Sequence, residues 1–250
     1  METITSRKNL KVQELKKLGA SRAYRRERGL VLCDGAKLLR EAELAGLELG
    51  DVFICDGEDV DPPFGAGVFR VSESLLEYIS PLKNPQPVLF TCAMPSLSGS
   101  VPDGGAVLVL ENVQDPGNVG TAIRTANAFG IGAVILLGAC ADPFNPKTLR
   151  ASMGAVFRQR IVECRPDELR GVTGGRKLIG AALGGYCRDI RELELRDTAV
   201  CIGSEGRGLS NELLDMCDAR VNIPRAAGSE SLNAAAAAAV LMWHMRAQEI

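Results

Sequence analysis

The chain has 250 residues, 46% hydrophobic and 24% charged, a balance typical of soluble globular proteins that excludes a largely disordered chain. No apolar run approaches the roughly 18 residues of a membrane helix, and the opening METITSRKNLKVQELKKLGA lacks the apolar core of a signal peptide. The net charge of −2 is unevenly spread: residues 1–30 carry nine basic side chains (Arg7, Lys8, Lys11, Lys16, Lys17, Arg22, Arg25, Arg26, Arg28) against Glu2, Glu14 and Glu27, so a head of +6 precedes a body of −8. Such a head points to a polyanion partner, although a solvated amphipathic helix carries the same charges.

In chain order, residues 9–18 place Val12, Leu15 and Leu18 on one face of a short amphipathic helix, and ASRAYRRERG then reads as a basic turn region. A strand is expected at 29–33, a break at Asp34–Gly35, a helix to Ala45, a strand at 51–56, a helix at 71–80 capped by Ser72 or Ser74, and a strand at 88–94. Residues 95–105, rich in Pro, Gly and Ser, form the candidate linker. The domains expected are therefore 1–95 and 106–250, joined by 96–105. The second half alternates apolar strands (106–113, 132–138, 157–164, 176–183, 198–204, 219–224) with helices (117–130, 145–155, 208–218, 231–250). Near-continuous apolar strands alternating with helices indicate an α/β fold with a parallel sheet covered on both faces.

The eight cysteines are scattered with no C-x-x-C spacing, and His244 is the single histidine. A zinc site of ordinary spacing, a His-based triad and a multi-His metal site are thereby disfavoured, so no metal is expected. Without an export signal the cysteines read as reduced thiols in a cytoplasm.

Four segments of the second half put polar residues where strands end, the edge at which open α/β sheets bind ligands. The first, LENVQDPGNVGTAIRTANAFG, carries Asn118 and Arg124, about 1.7 helical turns apart and so off one stripe. The second, GSEGRGLS (203–210), is a glycine turn with Glu205 inside it, neither a G-x-G-x-x-G nor a P-loop. The third, VNIPRAAGSESLNA (221–234), ends a strand at Ile223–Pro224 and opens the last helix with Ser231 and Asn233. Ser231 is the expected N-cap, which leaves Asn233 without a capping role. The fourth, RASMGAVFRQRI, offers Ser152 and Gly154, which simple close packing also explains.

These segments, in this order, resemble the signatures of the SpoU (TrmH-type) RNA ribose 2′-O-methyltransferases of the SPOUT superfamily. Asp115–Gly130 is similar to the first signature (DPxNxGxxxRxAxxFG), GSEGRGLS to the second, IPRAAGSESLNA to the third, and RASMGA to an intervening stretch. The first ninety residues resemble the L30e-like substrate-binding domain of longer members through Ser6–Asn9 and Cys33–Asp34–Gly35, with Asp34 where Glu is usual. The resemblance implies a deep trefoil knot in the C-terminal part of the sheet. Sequence rules alone favour an unknotted Rossmann domain instead. It also implies S-adenosyl-L-methionine as cofactor, held at Gly203, Ile223 and Leu232, and a homodimer with the last helix in its interface. Arg225 stands where Met is usual, which touches substrate or packing rather than polar catalytic groups.

By the same resemblance, the reaction is transfer of a methyl group to a ribose 2′-hydroxyl of structured RNA, ribosomal rather than transfer RNA from the two-domain layout. Arg124 is the positive group beside the nascent alkoxide, Glu205 orients Arg124, and Asn118, Ser231 and Asn233 position the ribose. Two rivals are a silent RNA-binding member of the same fold and a nicotinamide-type Rossmann enzyme. Neither fits well, because every polar signature residue is present and no dinucleotide fingerprint occurs.

Overall fold

The computed structural model describes residues 2–247 except Asp59, Pro62, Phe64, Gly185 and Ala227. Its strands are β1 (Glu2–Ile4), β2 (Leu30–Asp34), β3 (Leu49–Cys55), β4 (Val68–Val71), β5 (Val88–Ala93), β6 (Val107–Glu111), β7 (Ala133–Leu137), β8 (Ile161–Cys164), β9 (Lys177–Ala181), β10 (Arg188–Asp189), β11 (Thr198–Ile202) and β12 (Ala219–Asn222). Its α-helices are α1 (Leu10–Ala20), α2 (Arg22–Arg28), α3 (Ala36–Leu44), α4 (Glu73–Ile79), α5 (Pro116–Ala128), α6 (Pro146–Ser152), α7 (Leu169–Val172), α8 (Asn211–Met216) and α9 (Ala234–Arg246). Among the described residues no helix is long and apolar enough to cross a membrane. The chain divides into two compact units, Met1–Pro95 with Asp142–Phe157, and Ser96–Ala141 with Arg158–Ile250.

The first unit holds a five-stranded mixed sheet in the order β1-β4-β3-β5-β2. Asn9 caps α1, whose Val12, Leu15 and Leu18 are buried as their spacing predicts. The expected basic turn at 20–29 is instead helix α2. Ser21 accepts a hydrogen bond from the Tyr24 N–H at 3.1 Å and Gly29 ends the helix at φ +62°, so a start and a stop signal enclose seven residues. β1 and β4 were not expected; each spans only three or four residues, too few for a period to show.

Segment 142–157 belongs to this unit through buried polar contacts. Arg25, only 2% exposed, donates to Asp142 at 2.5 Å and to the Leu18 carbonyl. Asp34, also buried, accepts from Ser80 Oγ at 3.0 Å, the Gln86 N–H at 2.9 Å and Arg150 at 3.0 Å. Two residues counted from sequence as a head cation and a strand end therefore serve as internal anchors.

The second unit is a seven-stranded sheet in the order β10-β12-β9-β11-β6-β7-β8, and every pairing in it is parallel. All residues of β6, β7 and β11 are buried, which is why they read as uninterrupted apolar runs. Burying one Val, Leu or Ile side chain contributes about 1.5–3 kcal/mol, so these three central strands dominate the unit's cohesion. β11 sits between β6 and β9, with β12 on the far side of β9. Parallel direction then brings the loops after β6, β9, β11 and β12 to one edge. The expected strand at 157–164 is shorter, because Ala155–Phe157 is a 3-10 turn and β8 starts at Ile161. The last helix begins at Ala234 rather than Ser231, and it packs on α5, with the Phe129 and Trp243 rings 5.8 Å apart.

Candidate active site

The loop after β6 enters α5 through Asp115, whose Oδ1 accepts from the Asn118 N–H at 2.8 Å, with Pro116 in the first helical position. Pro fits there because its missing N–H has no partner in the first turn. This start turns the Asn118 side chain toward the loops after β11 and β12. Asn118 Nδ2 donates to Glu205 Oε1, and Asn118 Oδ1 accepts from Asn233 Nδ2 at 2.8 Å. Asn233 Oδ1 accepts from the Ala236 N–H at 2.8 Å, so Asn233 is the N-cap of α9. The cap expected at Ser231 thus falls two residues later, since residues 229–232 stay irregular up to Asn233.

Between β11 and α8, the GSEGRGLS turn closes on itself. The Gly208 N–H donates to the Ser204 carbonyl at 2.8 Å. A Cβ on Gly203 would lie 2.0 Å from the Gly208 backbone, so only glycine permits this fold-back. Beside it lies a cavity of about 440 Å³, within the range of small-molecule sites. Gly203, Glu205, Ile223, Ser231 and Leu232 line it, so all three expected cofactor residues and two of the expected catalytic ones share one hollow. Leu209 and Ala181 add apolar wall, and Arg225 stands at it as well. The guanidinium of Arg225 donates to the Glu230 carbonyl at 2.6 Å, closing the loop that presents Ser231 and Leu232.

Arg124 stands apart from this cluster. Six residues after Asn118, it is about 240° further round α5. It is exposed, and its side chain makes no hydrogen bond or ion pair among the described residues. The expected pairing of Arg124 with Glu205 is therefore not the one found; Glu205 is held by Asn118.

Glu111 was missed as a site residue. It ends β6, is 5% exposed, and receives both the Ser210 N–H (2.7 Å) and the Ser210 hydroxyl (2.6 Å). Ser210 Oγ in turn accepts from the Leu213 N–H and so caps α8. Glu111 thus pins the far end of the glycine turn to the strand that leads into Asn118. A carboxylate closing the otherwise apolar VLVLE was the available signal. Asn112 follows in a left-handed conformation (φ +54°), and its side chain accepts from the Ala139 N–H, which steers the chain from β6 toward α5.

Residues 105–243 match the SpoU rRNA Methylase family, and residues 9–89 match the MRM3-like substrate binding domain. The 23S rRNA (guanosine(2553)-2'-O)-methyltransferase RlmP of Bacillus subtilis is 34% identical over 98% of this chain and 100% of its own length. The solved AdoMet-bound rRNA methyltransferase from Sinorhizobium meliloti superposes with a TM-score of 0.87 at 27% identity, covering 100% of this chain and 98% of that one. The SpoU methyltransferase AviRb from Streptomyces viridochromogenes, in complex with AdoMet, gives 0.88 at 25% identity over 96% of this chain and 98% of its own. With the signature residues gathered at one sheet edge and both halves of the chain matched, the protein belongs to the SpoU rRNA methylase family.

Proposed function

We propose that the protein transfers a methyl group from S-adenosyl-L-methionine to a ribose 2′-hydroxyl of ribosomal RNA, with 23S rRNA as the substrate that its full-length relative's name favours. The observation that carries this is the convergence of Asn118, Glu205 and Asn233 beside the cavity formed by the turns at 203–209 and 223–232.

The cavity fits the cofactor. The Gly203 fold-back presents backbone where a side chain would intrude, and Ile223, Leu209 and Leu232 give apolar contact for an adenine. When bound there, S-adenosyl-L-methionine supplies a sulfonium methyl whose leaving thioether is neutral and needs no acid. The protein must align the ribose oxygen with that methyl and stabilise charge growing on the oxygen. Asn118, Ser231 and Asn233 position the ribose. The family resemblance, and not its position beside Asn118, makes Arg124 the candidate for the positive charge beside the alkoxide; its side chain is exposed and has no ion pair among the described residues. A guanidinium is a poor base, so the proton leaves to the neighbouring RNA phosphate or by an indirect route.

We assign residues 1–95 to RNA binding and 106–250, apart from the 142–157 segment that packs with the first unit, to methyl transfer. A homodimer is supported by Val240 and Trp243, 40% and 53% exposed on α9 beside the small-residue run Ala234–Ala239. A trefoil knot is supported by the strand order, in which the chain runs from β9 out to β10 at the sheet edge, back past β9 to β11, and across β9 again to β12. A cytoplasmic location suits eight unpaired cysteines.

Calorimetry with S-adenosyl-L-methionine, S-adenosylhomocysteine and NAD tests the cofactor assignment. The expected result is about one methyl-donor site per chain and no NAD heat. Tight NAD binding without donor binding would replace this reading with a nicotinamide enzyme. Mapping 2′-O-methyl sites in cellular RNA with and without the gene then identifies the nucleotide.

A further inference from the structure

The basic residues of the head do not share one fate. Arg25 is buried against Asp142, Lys11 pairs with Asp51 at 2.5 Å, and Arg28 pairs with Glu14 at 2.8 Å. Arg7, Lys8, Lys16 and Lys17 make no ion pair among the described residues. Three of these four instead lie against aromatic rings. The Arg7 guanidinium is 4.6 Å and Lys16 Nζ 4.7 Å from the centre of the Tyr78 ring, and Lys17 Nζ is 5.7 Å from that of Tyr24. Lys11 adds a contact to Phe69 at 4.7 Å. Four cation–π contacts thus fall between Arg7 and Tyr78, where about one is expected for a stretch of that length.

A ring and a carboxylate hold a cation in different ways. A carboxylate fixes the side chain and cancels its charge. A ring face fixes it through the quadrupole and leaves the full charge facing outward. Tyr78, on α4, reaches two cations nine residues apart in sequence, one before α1 and one within it. Lys16 and Arg7 lose side-chain freedom on ordering, and contact with a half-buried ring takes part of that cost before any ligand arrives. Glu73 and Glu77, on the same helix as Tyr78, form no ion pair with either.

We propose that Arg7 and Lys16, gathered on the Tyr78 ring, bind the RNA sugar–phosphate backbone, with Tyr78 as the organising residue that holds both in place without neutralising them. This rests on RNA being the substrate and places the contact on one face of the head. Recognition there is of phosphate, so it carries affinity and a salt dependence rather than base sequence.

The test uses the full chain with two probes, an unmodified 23S rRNA transcript and a 20-nucleotide polyuridylate, titrated over a salt series. The R7Q/K16Q double variant should weaken binding to both probes and flatten the log–log salt slope by roughly 1.5, since each lost phosphate contact removes about 0.7–0.9. Tyr78→Phe keeps the ring and should bind within twofold of the parent. Tyr78→Met fills similar space without a ring and should bind about fivefold more weakly with the slope unchanged. An unaltered slope in the double variant, or Tyr78→Met binding like Tyr78→Phe, overturns the proposal. Calorimetric titration of S-adenosyl-L-methionine into the same proteins separates the two readings. Absence of donor binding in the parent defeats the methyltransferase reading, whereas the salt slopes and the Tyr78 variants' RNA affinities decide the phosphate contact.

Discussion

Asn118 and Asn233, 115 residues apart, are joined by a 2.8 Å hydrogen bond whose direction is imposed from both ends. Asn233 must use its carbonyl oxygen to accept from the Ala236 N–H, so its amide nitrogen faces Asn118. Asn118 must then accept with its oxygen, and its own nitrogen faces the carboxylate of Glu205. Helix cap, amide and carboxylate form one ordered relay, because each asparagine has one accepting and one donating end.

That order gives a separation of stability from activity at Asn233. Asn233→Asp keeps the cap but sets a second carboxylate oxygen against Asn118 Oδ1. The melting temperature should change little while turnover falls at least tenfold. Asn233→Ala should lose both, with about 1 kcal/mol from the cap. Thermal melts and single-turnover methylation of the rRNA substrate decide it. Equal activity in Asn233→Asp and the parent would detach the relay from catalysis.

Arg124→Ala should remove most turnover and leave donor affinity within a few-fold, because its charge acts mainly in the transition state. Arg124→Lys should restore little, since an ammonium lacks the planar fork. Glu205→Gln should cost less than Arg124→Ala, because a glutamine oxygen can still accept from Asn118. A near-normal rate in Arg124→Ala would show that the reacting group lies elsewhere.

Gly203→Ala forces the 203–208 turn open, because its Cβ would meet the Gly208 backbone at 2.0 Å. Backbone cannot yield as a flexible side chain does. Donor affinity should fall more than tenfold by calorimetry. Gly171→Ala, on α7 and outside the cavity lining, meets nothing within 4 Å and serves as the control.

Glu111 and Ser210 should behave as a coupled pair. Removing either leaves the other's buried polar groups unsatisfied, a cost of about 1–3 kcal/mol. In a double-mutant cycle of Glu111→Gln and Ser210→Ala, the double variant should be little worse than the more damaging single one. The donor KM should rise more than kcat falls, because the turn beside the cavity loosens. Additive melting shifts with an unchanged KM would mean that the pair only caps α8.

Arg25→Met should be strongly destabilising, by about 3–5 kcal/mol, because it leaves the Asp142 carboxylate buried and uncompensated. Denaturant unfolding measures this. Replacing both residues with apolar side chains of similar volume should recover much of the loss.

The central strands, the cap at Ser72 and the polar residues at strand ends were legible because they depend on local properties: apolar runs, capping side chains and glycine turns. The signature residues Gly203, Glu205, Ile223, Ser231 and Leu232 also come together on one cavity wall. What the local pattern did not hold was which partner each polar group would find. Ser231 looked like the cap, yet Asn233 is the residue whose side chain meets the Ala236 N–H. Glu205 was expected on Arg124 and is held by Asn118, since helix rotation carries Arg124 to another face. Arg25 counted as surface charge until Asp142, 117 residues away, enclosed it. The sequence by itself determined where the longer buried strands and the glycine turns occur, because backbone preference and apolar periodicity act over a few residues. Only the tertiary structure decided which charges are cancelled, which are buried and which stay open to a ligand, because those pairings join residues about a hundred positions apart.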